Sequence, residues 1–123
     1  MARTALDLTA EELHTYRPGK EPDPQHTMER WERAWEIART IARLLREEFG
    51  ATRVVVFGSL AHHDWFNTWS DIDLAVWGIP AHRFYRAVAA ATGLSSEFEV
   101  DLVDPENCWP AVRKAIEREG IDL

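Results

Sequence analysis

Two short apolar segments, separated by a Gly-Ser pair and an Asp-x-Asp motif, constrain the fold of this chain more than any other feature. Residues 53–57 run directly into residues 58–59, and eleven residues later Asp71-Ile72-Asp73 opens a second apolar segment that ends at position 77. Apolar runs of this length, bounded by turn residues, are typical of buried strands. Because side chains alternate between the faces of a strand, Asp71 and Asp73 are predicted to share one face, about 7 Å apart.

The aspartate pair is the first candidate for chemistry. Two carboxylates held side by side repel each other unless a cation lies between them. Mg²⁺ is a fitting cation, because it binds one or two carboxylates together with the phosphates of a substrate. Asp-x-Asp is also common in turns and on solvated strand faces, which would make Asp71 and Asp73 ordinary surface residues. Their place after a strand and a Gly-Ser turn favours the metal site.

Gly58 and Ser59 are the second candidate, a phosphate-binding turn that leads from the first strand into a short helix predicted near residues 60–64. Glycine lets the backbone approach a phosphate, the start of a helix offers free N–H groups, and serine adds a hydroxyl donor. Alone, a Gly-Ser pair is at least as often a plain turn. The Asp-x-Asp motif that follows favours the phosphate-binding interpretation.

Three segments together, VVVFGS (54–59), SDIDLAV (70–76) and EVDLVD (99–104), resemble the signature of the DNA-polymerase-β-like nucleotidyltransferases. Within that superfamily the chain is most similar to the minimal nucleotidyltransferases, small proteins found beside HEPN-domain partners in toxin–antitoxin modules. The resemblance covers residues 29–123. It implies an α+β fold, with a small mixed sheet of three to four strands and helices packed on one main face. It also implies that the first two strands are neighbours and that the third lies beside the second.

The resemblance also assigns site residues. The implied nucleotide-binding residues, which would hold the ATP substrate, are Gly58, Ser59, Asp71 and Asp73. The implied catalytic residues, which would also be the ligands of two Mg²⁺ ions, are Asp71, Asp73 and Asp101. Asp101 would hold the second ion and accept the proton of the attacking hydroxyl. Glu99 competes for this position, and the match of Val-Asp-Leu-Val to the family pattern favours Asp101.

The implied function is transfer of AMP from ATP to a hydroxyl, a tyrosine in relatives, of a HEPN-domain toxin within a hetero-oligomer, so that the chain is an antitoxin. The chain departs from the family at His62 and His63, where many relatives carry Arg and Gly. Histidine replaces a phosphate-binding arginine only when it is protonated, so one alternative is an antitoxin that acts by binding alone. The interpretation of the pair as ordinary surface histidines is slightly favoured. Another alternative is a transferase for a small-molecule acceptor, although such relatives usually carry an extra helical domain.

Composition limits the partners and the compartment. The formal net charge is −7 and no basic stripe is present, so we expect no direct nucleic-acid contact, and the acidic surface suits a basic protein partner. No apolar run approaches the length of a membrane helix or of a signal-peptide core, so we expect a cytoplasmic protein without membrane contact. The single cysteine, Cys108, fits a reducing compartment and an ordinary buried thiol.

Sequence patterns divide the chain into an N-terminal arm or linker, residues 1–28, and a nucleotidyltransferase domain, residues 29–123. The predicted helices, beyond the short one, cover residues 28–49, 80–92 and 109–119. The predicted strands cover residues 53–57, 71–77 and 97–103, with a possible edge strand at 121–123. Alternation within the third strand predicts that Glu97, Glu99 and Asp101 share one face.

Aromatic residues crowd the loop between the two motifs, at Trp65, Phe66 and Trp69. These side chains would stack on a nucleobase or anchor a protein interface, where Trp is enriched. The alternative, which we weigh equally, is a hydrophobic cluster beneath the loop.

Overall fold

The computed structural model describes residues 24–123, so the predicted N-terminal arm lies outside the described residues up to position 23. Helix α1 spans Pro24–Phe49 and begins earlier than the predicted start at residue 28. Proline is tolerated there because the first turn of a helix does not use the N–H that proline lacks. The domain boundary after residue 28 stays a prediction, and α1 crosses it. None of the described helices is long and apolar enough to cross a membrane.

Helix α1 packs on the sheet through a stripe of small and aliphatic side chains. The fully buried members share one face of the helix and are Ala34, Ala38, Ile41, Ala42 and Leu45. Trp31 and Trp35 are half-buried at the edge of this stripe. Gly50 follows the last helical residue with a φ of +75°, as expected for a C-terminal cap.

Four strands form one mixed sheet in the order β3-β2-β1-β4. Strand β1 (Arg53–Phe57) pairs antiparallel with β2 (Ile72–Trp77) on one side and with β4 (Ile121–Asp122) on the other. Strand β3 (Val100–Val103) pairs in parallel with β2. The predicted neighbours are therefore confirmed, including the edge strand near the C-terminus.

Helices cover the two faces of the sheet unequally. Helices α1 and α2 (Ala81–Thr92) pack on one face and form the larger core with alternate residues of β1 and β2. Helix α3 (Pro110–Glu119) lies on the opposite face, where Ile116 packs with Val55 and Ala75. Strand β1 is buried on both faces, which explains why its sequence is a continuous apolar run. The predicted α+β fold with one main helical face is confirmed.

Strand β3 is shorter than predicted, since it begins at Val100 and not at residue 97. Glu97 turns toward α1, where Arg33 Nη2 donates a hydrogen bond to it at 2.6 Å and Arg30 Nη1 donates one at 3.4 Å. The prediction that Glu97 shares a face with Glu99 and the aspartate of β3 was therefore wrong. An ion pair with a distant helix outweighed the alternation in the local sequence.

The helix predicted near residues 60–64 is replaced by two short 3₁₀ turns, Gly58–Ala61 and His63–Trp65. His62 separates them with an extended backbone, at φ −121° and ψ 102°. The Gly-Ser pair therefore begins a single tight turn and not a helix with a sizeable dipole.

Candidate active site

Three strand ends meet at one edge of the sheet. Strand β1 ends there and continues into residues 58–59, while β2 and β3 begin there, because β1 is antiparallel to β2 and β2 is parallel to β3. Asp71 directly precedes β2 at this edge. In the register of the sheet, Asp73 lies between Phe57 of β1 and Asp101 of β3. The fold thus brings both sequence motifs and the third aspartate together.

The aspartates of β2 and β3 lie on the face opposite the larger core. Ala75, two residues after Asp73, packs on α3, whereas Ile72 and Leu74 pack under α1 and α2. Asp101 is exposed and Asp73 is partly buried. The predicted sharing of a face by Asp73 and Asp101 therefore holds in the structure.

Asp73 is the carboxyl group most affected by this arrangement. Its pKa is raised from 3.8 to about 6, first by burial and then by the negative charges of Asp101 and Asp71. A carboxyl group in such surroundings favours a bound proton or a nearby cation. The electrostatics of the edge therefore suit a positively charged ligand.

Gly58 passes directly against the Asp73 carboxylate. Its φ is +73°, which only glycine adopts without strain, and a Cβ atom at this position would lie 2.6 Å from Asp73 Oδ2. A side chain here would fill the space beside the carboxylate. Glycine therefore keeps the backbone of the turn, with the half-buried Ser59 behind it, in contact with the acidic edge.

The donor atoms at this edge fit Mg²⁺, a hard cation that prefers carboxylate oxygens. Among residues 24–123 no three carboxylate, imidazole or thiolate side chains already have a metal-binding arrangement. Asp71, Asp73 and Asp101 would therefore have to turn toward a shared ion. The register of the sheet already sets Asp73 beside Asp101.

The family called Polymerase beta, Nucleotidyltransferase matches residues 39–123, a segment that contains both motifs and all three aspartates. The chain belongs to this nucleotidyltransferase family. The N-terminal half of α1 lies outside the matched segment. Comparison with curated protein sequences gives no match.

Two solved structures with a similar fold are of toxin–antitoxin complexes. A chain in a crystal structure of a toxin–antitoxin with AMP-PNP is 21% identical, with a TM-score of 0.55 over 69% of this chain and 70% of that chain. A chain of the toxin–antitoxin MntA–HepT is 20% identical, with a TM-score of 0.52 over 72% and 69% of the two chains. A chain named as a minimal nucleotidyltransferase is 30% identical, with a TM-score of 0.48 over 85% and 100%.

In this nucleotidyltransferase, both histidines after the Gly-Ser turn are in contact with helices. His62 Nε2 lies 3.5 Å from Glu119 Oε2 at the end of α3, and its ring packs on Trp65 with the centroids 3.9 Å apart. The His63 ring meets the edge of Trp31 on α1, with the centroids 4.8 Å apart. A role for either histidine in place of the missing arginine stays a prediction.

The aromatic residues of the loop divide into one buried side chain and two exposed ones. Phe66 is buried in the larger core, as the hydrophobic-cluster interpretation requires. Trp65 and Trp69 remain 57% and 41% exposed. Ser70 orders the turn before the second strand, because its hydroxyl accepts a hydrogen bond from the Asn67 N–H at 3.0 Å.

Sequence reasoning missed one charged residue at this edge, Arg30. Its side chain is only 13% exposed, its guanidinium lies 4.1 Å from the ring centroid of Phe98, and its Nη1 donates to Glu97 at 3.4 Å. Burial lowers the pKa of Arg30, while the negative charges of Glu97 and Asp71 act in the opposite direction. The sequence around Arg30 holds no signal that would distinguish it from the other arginines of α1. Its partners come from segments about forty and seventy residues further along the chain.

Proposed function

We propose that the chain is a Mg²⁺-dependent nucleotidyltransferase that transfers AMP from ATP to a tyrosine hydroxyl of a HEPN-domain toxin, and that it thereby acts as an antitoxin. The observation that carries this proposal is the placement of Asp73 between Asp101 and the Gly58 turn at one edge of the sheet. Membership of the nucleotidyltransferase family supports the reaction type. The toxin–antitoxin systems that share the fold support the class of partner.

Each residue of the edge would have a defined part in the reaction. The backbone and hydroxyl of residues 58–59 would bind phosphate oxygens, and Asp71, Asp73 and Asp101 would hold Mg²⁺. When bound, Mg²⁺ would neutralise part of the phosphate charge and make the attacking hydroxyl more acidic. The exposed Asp101 is accessible to the acceptor and would take its proton. The tyrosine oxygen would bond to the α-phosphorus, the bond between the α- and β-phosphates would break, and pyrophosphate would leave.

A protein acceptor suits the surface beside the site. Trp65 and Trp69 are exposed next to the turn and the Asp-x-Asp motif, and Trp109 before α3 is 80% exposed. Exposed tryptophans are typical of protein interfaces. The formal net charge of −7 would attract a basic partner. A docked partner would also supply the alignment that in-line attack requires.

The test is intact-mass spectrometry of the HEPN-domain protein encoded beside this chain, after incubation with the chain, ATP and Mg²⁺. We expect one or more added AMP masses, abolished by Asp73→Asn and Asp101→Asn. Asp64→Asn is the matched control, because this aspartate is 98% exposed in the nearby loop. If Asp101→Asn stays active while Glu99→Gln does not, the third carboxylate is Glu99.

An antitoxin that acts by binding alone is the second candidate. It is favoured by the absence of an arginine from residues 60–63 and by the contacts of His62 and His63 with the helices. A toxin that is inhibited by the wild-type chain but carries no added mass would establish this candidate and reject the enzymatic one.

A further inference from the structure

Strand β4 is the outer strand of the sheet on the side away from β3. Leu123, which follows it, donates its N–H to the carbonyl of Val54 on β1. Because inward and outward groups alternate along an antiparallel edge, the N–H and C=O of Asp122 point away from β1. The Asp122 side chain is fixed by Arg53, whose Nε donates to Oδ1 at 2.8 Å. Outward backbone groups on an edge strand are a template for pairing with another strand.

A groove lies between this strand edge and α1. Its volume is about 720 Å³, and it is lined by Trp31, Glu32, Trp35, Glu36, Arg39 and residues 121–123. The rings of Trp31 and Trp35 lie edge to face with their centroids 6.1 Å apart, and Ile121 is 42% exposed. A smaller groove continues along α1 and shares Arg39 and Leu123 with the first. Apolar surface thus lies directly beside the open strand edge.

The charged side chains of α1 beside the two grooves are separated by sign. They are all exposed and are Glu32, Glu36, Arg39, Arg43, Arg46 and Glu47. Glu32 and Glu36 are four residues apart on the helix, as are Arg39 and Arg43, and like charges at this spacing repel. A second copy of the helix in antiparallel orientation would set the acidic part against the basic part.

Helix α1 and strand β4 run in the same direction. Helix α1 leads into β1 through a short turn, and Trp31 near its start donates from Nε1 to the carbonyl of Leu60 at 3.3 Å, just beyond the end of β1. Helix α1 is therefore antiparallel to β1, as β4 is. If two copies of β4 pair in antiparallel orientation, a two-fold axis through the joined sheet relates them. Both copies of α1 then lie on the same face of that sheet and are antiparallel to each other.

We propose that the open edge of β4 and the adjoining side of α1 form a surface on which a second copy of this chain docks with two-fold symmetry. The N–H and C=O of Asp122 pair with those of Asp122 in the second copy, so that two four-stranded sheets become one. Glu36 of each copy approaches Arg43 of the other, because Arg39 lines both grooves and lies near the axis. The surface lies on the opposite side of β1 from the strands that carry the aspartates, so this proposal does not depend on the proposed function.

Apolar side chains complete the contact beneath the two helices. Val54 and Val56, which neighbour Leu123 and Ile121 across the β1–β4 pair, belong to the larger core, so Leu123 and Ile121 also point to the α1 side. Pairing about residue 122 sets Ile121 of one copy opposite Leu123 of the other. An apolar centre with charged residues around it is typical of homodimer interfaces.

Sedimentation velocity of the full chain, with a chelator and without nucleotide, tests the surface. Wild type should sediment as a dimer. Glu36→Arg and Arg43→Glu should each raise the dimer dissociation constant about tenfold, because symmetry turns two attractive contacts into two repulsive ones. An equimolar mixture of these variants should regain the wild-type affinity, since both contacts between unlike copies are attractive again. The matched control is Glu48→Arg, a charge reversal on α1 outside the grooves, which should dimerise as wild type does.

Two substitutions of Asp122 test the pairing of the strand edges. Asp122→Pro and Asp122→Ala both lose the ion pair with Arg53, but only proline removes the outward N–H. Proline is tolerated at such positions of edge strands. Asp122→Pro should therefore dimerise about tenfold more weakly than Asp122→Ala, with the same urea midpoint. Equal dimerisation of the two variants would show that the strand edges do not pair.

Three other results overturn the proposal. The first is a wild-type chain that stays monomeric at about 0.1 mM. In such a monomer, carbodiimide cross-links from Lys20 to Glu36 would assign the groove to the N-terminal segment of the same chain. The second is a monomer that binds the neighbouring HEPN-domain protein and loses this binding in Glu36→Arg, which would assign the groove to that partner. The third is a dimer that Glu36→Arg and Arg43→Glu both leave intact, since it must use another surface.

Discussion

Asp73 is the residue at which the stability of the fold and the proposed metal binding make opposite demands. Its pKa in the folded chain is about 6, compared with 3.8 for an ordinary aspartate, because of burial first and then Asp101 and Asp71. The folded state therefore holds the proton more tightly than the unfolded state. The free energy of unfolding should fall as the pH rises from about 4 to about 6 and stay low above that range. A shift of this size corresponds to about 2–3 kcal/mol.

We predict that Asp73→Asn stabilises the metal-free chain at pH 8 by about 2 kcal/mol, since it removes a buried negative charge and keeps the shape of the side chain. The measurement is urea unfolding with a chelator at pH 4, 6 and 8. The gain should vanish at pH 4, where wild-type Asp73 is protonated. Asp64→Asn, at a 98% exposed position, should show no such gain. If Asp73→Asn is less stable than wild type at pH 8, the buried charge of Asp73 does not destabilise the folded chain.

Gly58→Ala is expected to destabilise the chain more than Gly50→Ala, which is its matched control. Both have positive φ, +73° and +75°, but a Cβ at Gly50 meets nothing within 4 Å, whereas one at Gly58 meets Asp73 Oδ2 at 2.6 Å. Gly50→Ala should therefore cost only backbone strain, about 1 kcal/mol. Gly58→Ala should cost about 1–3 kcal/mol more, because it adds a collision.

Urea unfolding of a double-mutant cycle separates these two contributions. The extra cost of Gly58→Ala should disappear in an Asp73→Ala background, where the colliding carboxylate is gone, and the backbone strain should remain. Equal costs for Gly50→Ala and Gly58→Ala in the wild-type background would show that the turn does not press on the carboxylate.

The strands that carry the motifs were predictable because their signals are local. The apolar run of β1 and the turn residues around β2 place those elements within one residue of their observed bounds. The start of β3 was not predictable, because Glu97 pairs with Arg33 and Arg30, more than sixty residues earlier in the chain. Hydrophobic alternation shows which residues share a strand face, but it contains no information on a partner in another element.

For the elements around the site, too, local sequence predicts the helices and strands but not where each packs. The apolar residues of α3 mark it as a packed helix, yet nothing in its sequence says that it lies on the face of the sheet opposite α1 and α2. The packing of α3 on that face places Glu119 beside His62. The two 3₁₀ turns replace the predicted helix because His62 is extended, and a segment this short is shaped by its surroundings more than by propensity. The meeting of Asp73 with the Gly58 turn was therefore predictable from local signals, and the contacts of Arg30 with Phe98 and Glu97 were not.

At the scale of the whole molecule, the folded unit is larger than the segment that defines its family. The family match begins at residue 39, in the middle of α1. Ala34 and Ala38 are fully buried before that point, and the indole of Trp31 is hydrogen-bonded to the turn after β1. The first half of α1 thus covers the sheet beside the acidic edge and belongs to its core.

We predict that a chain starting at Pro24 keeps the core of the described residues, because every buried core residue within that range lies at or after Ala34. A chain starting at Arg39 should lose at least about 3 kcal/mol, since it lacks the packing of Trp31, Ala34 and Trp35, a loss comparable with truncating one large core side chain. Circular dichroism against urea concentration measures both. Equal stability of the two truncated chains would mean that the first half of α1 is not part of the core. Loss of stability already in the chain starting at Pro24 would place a stabilising contact before residue 24.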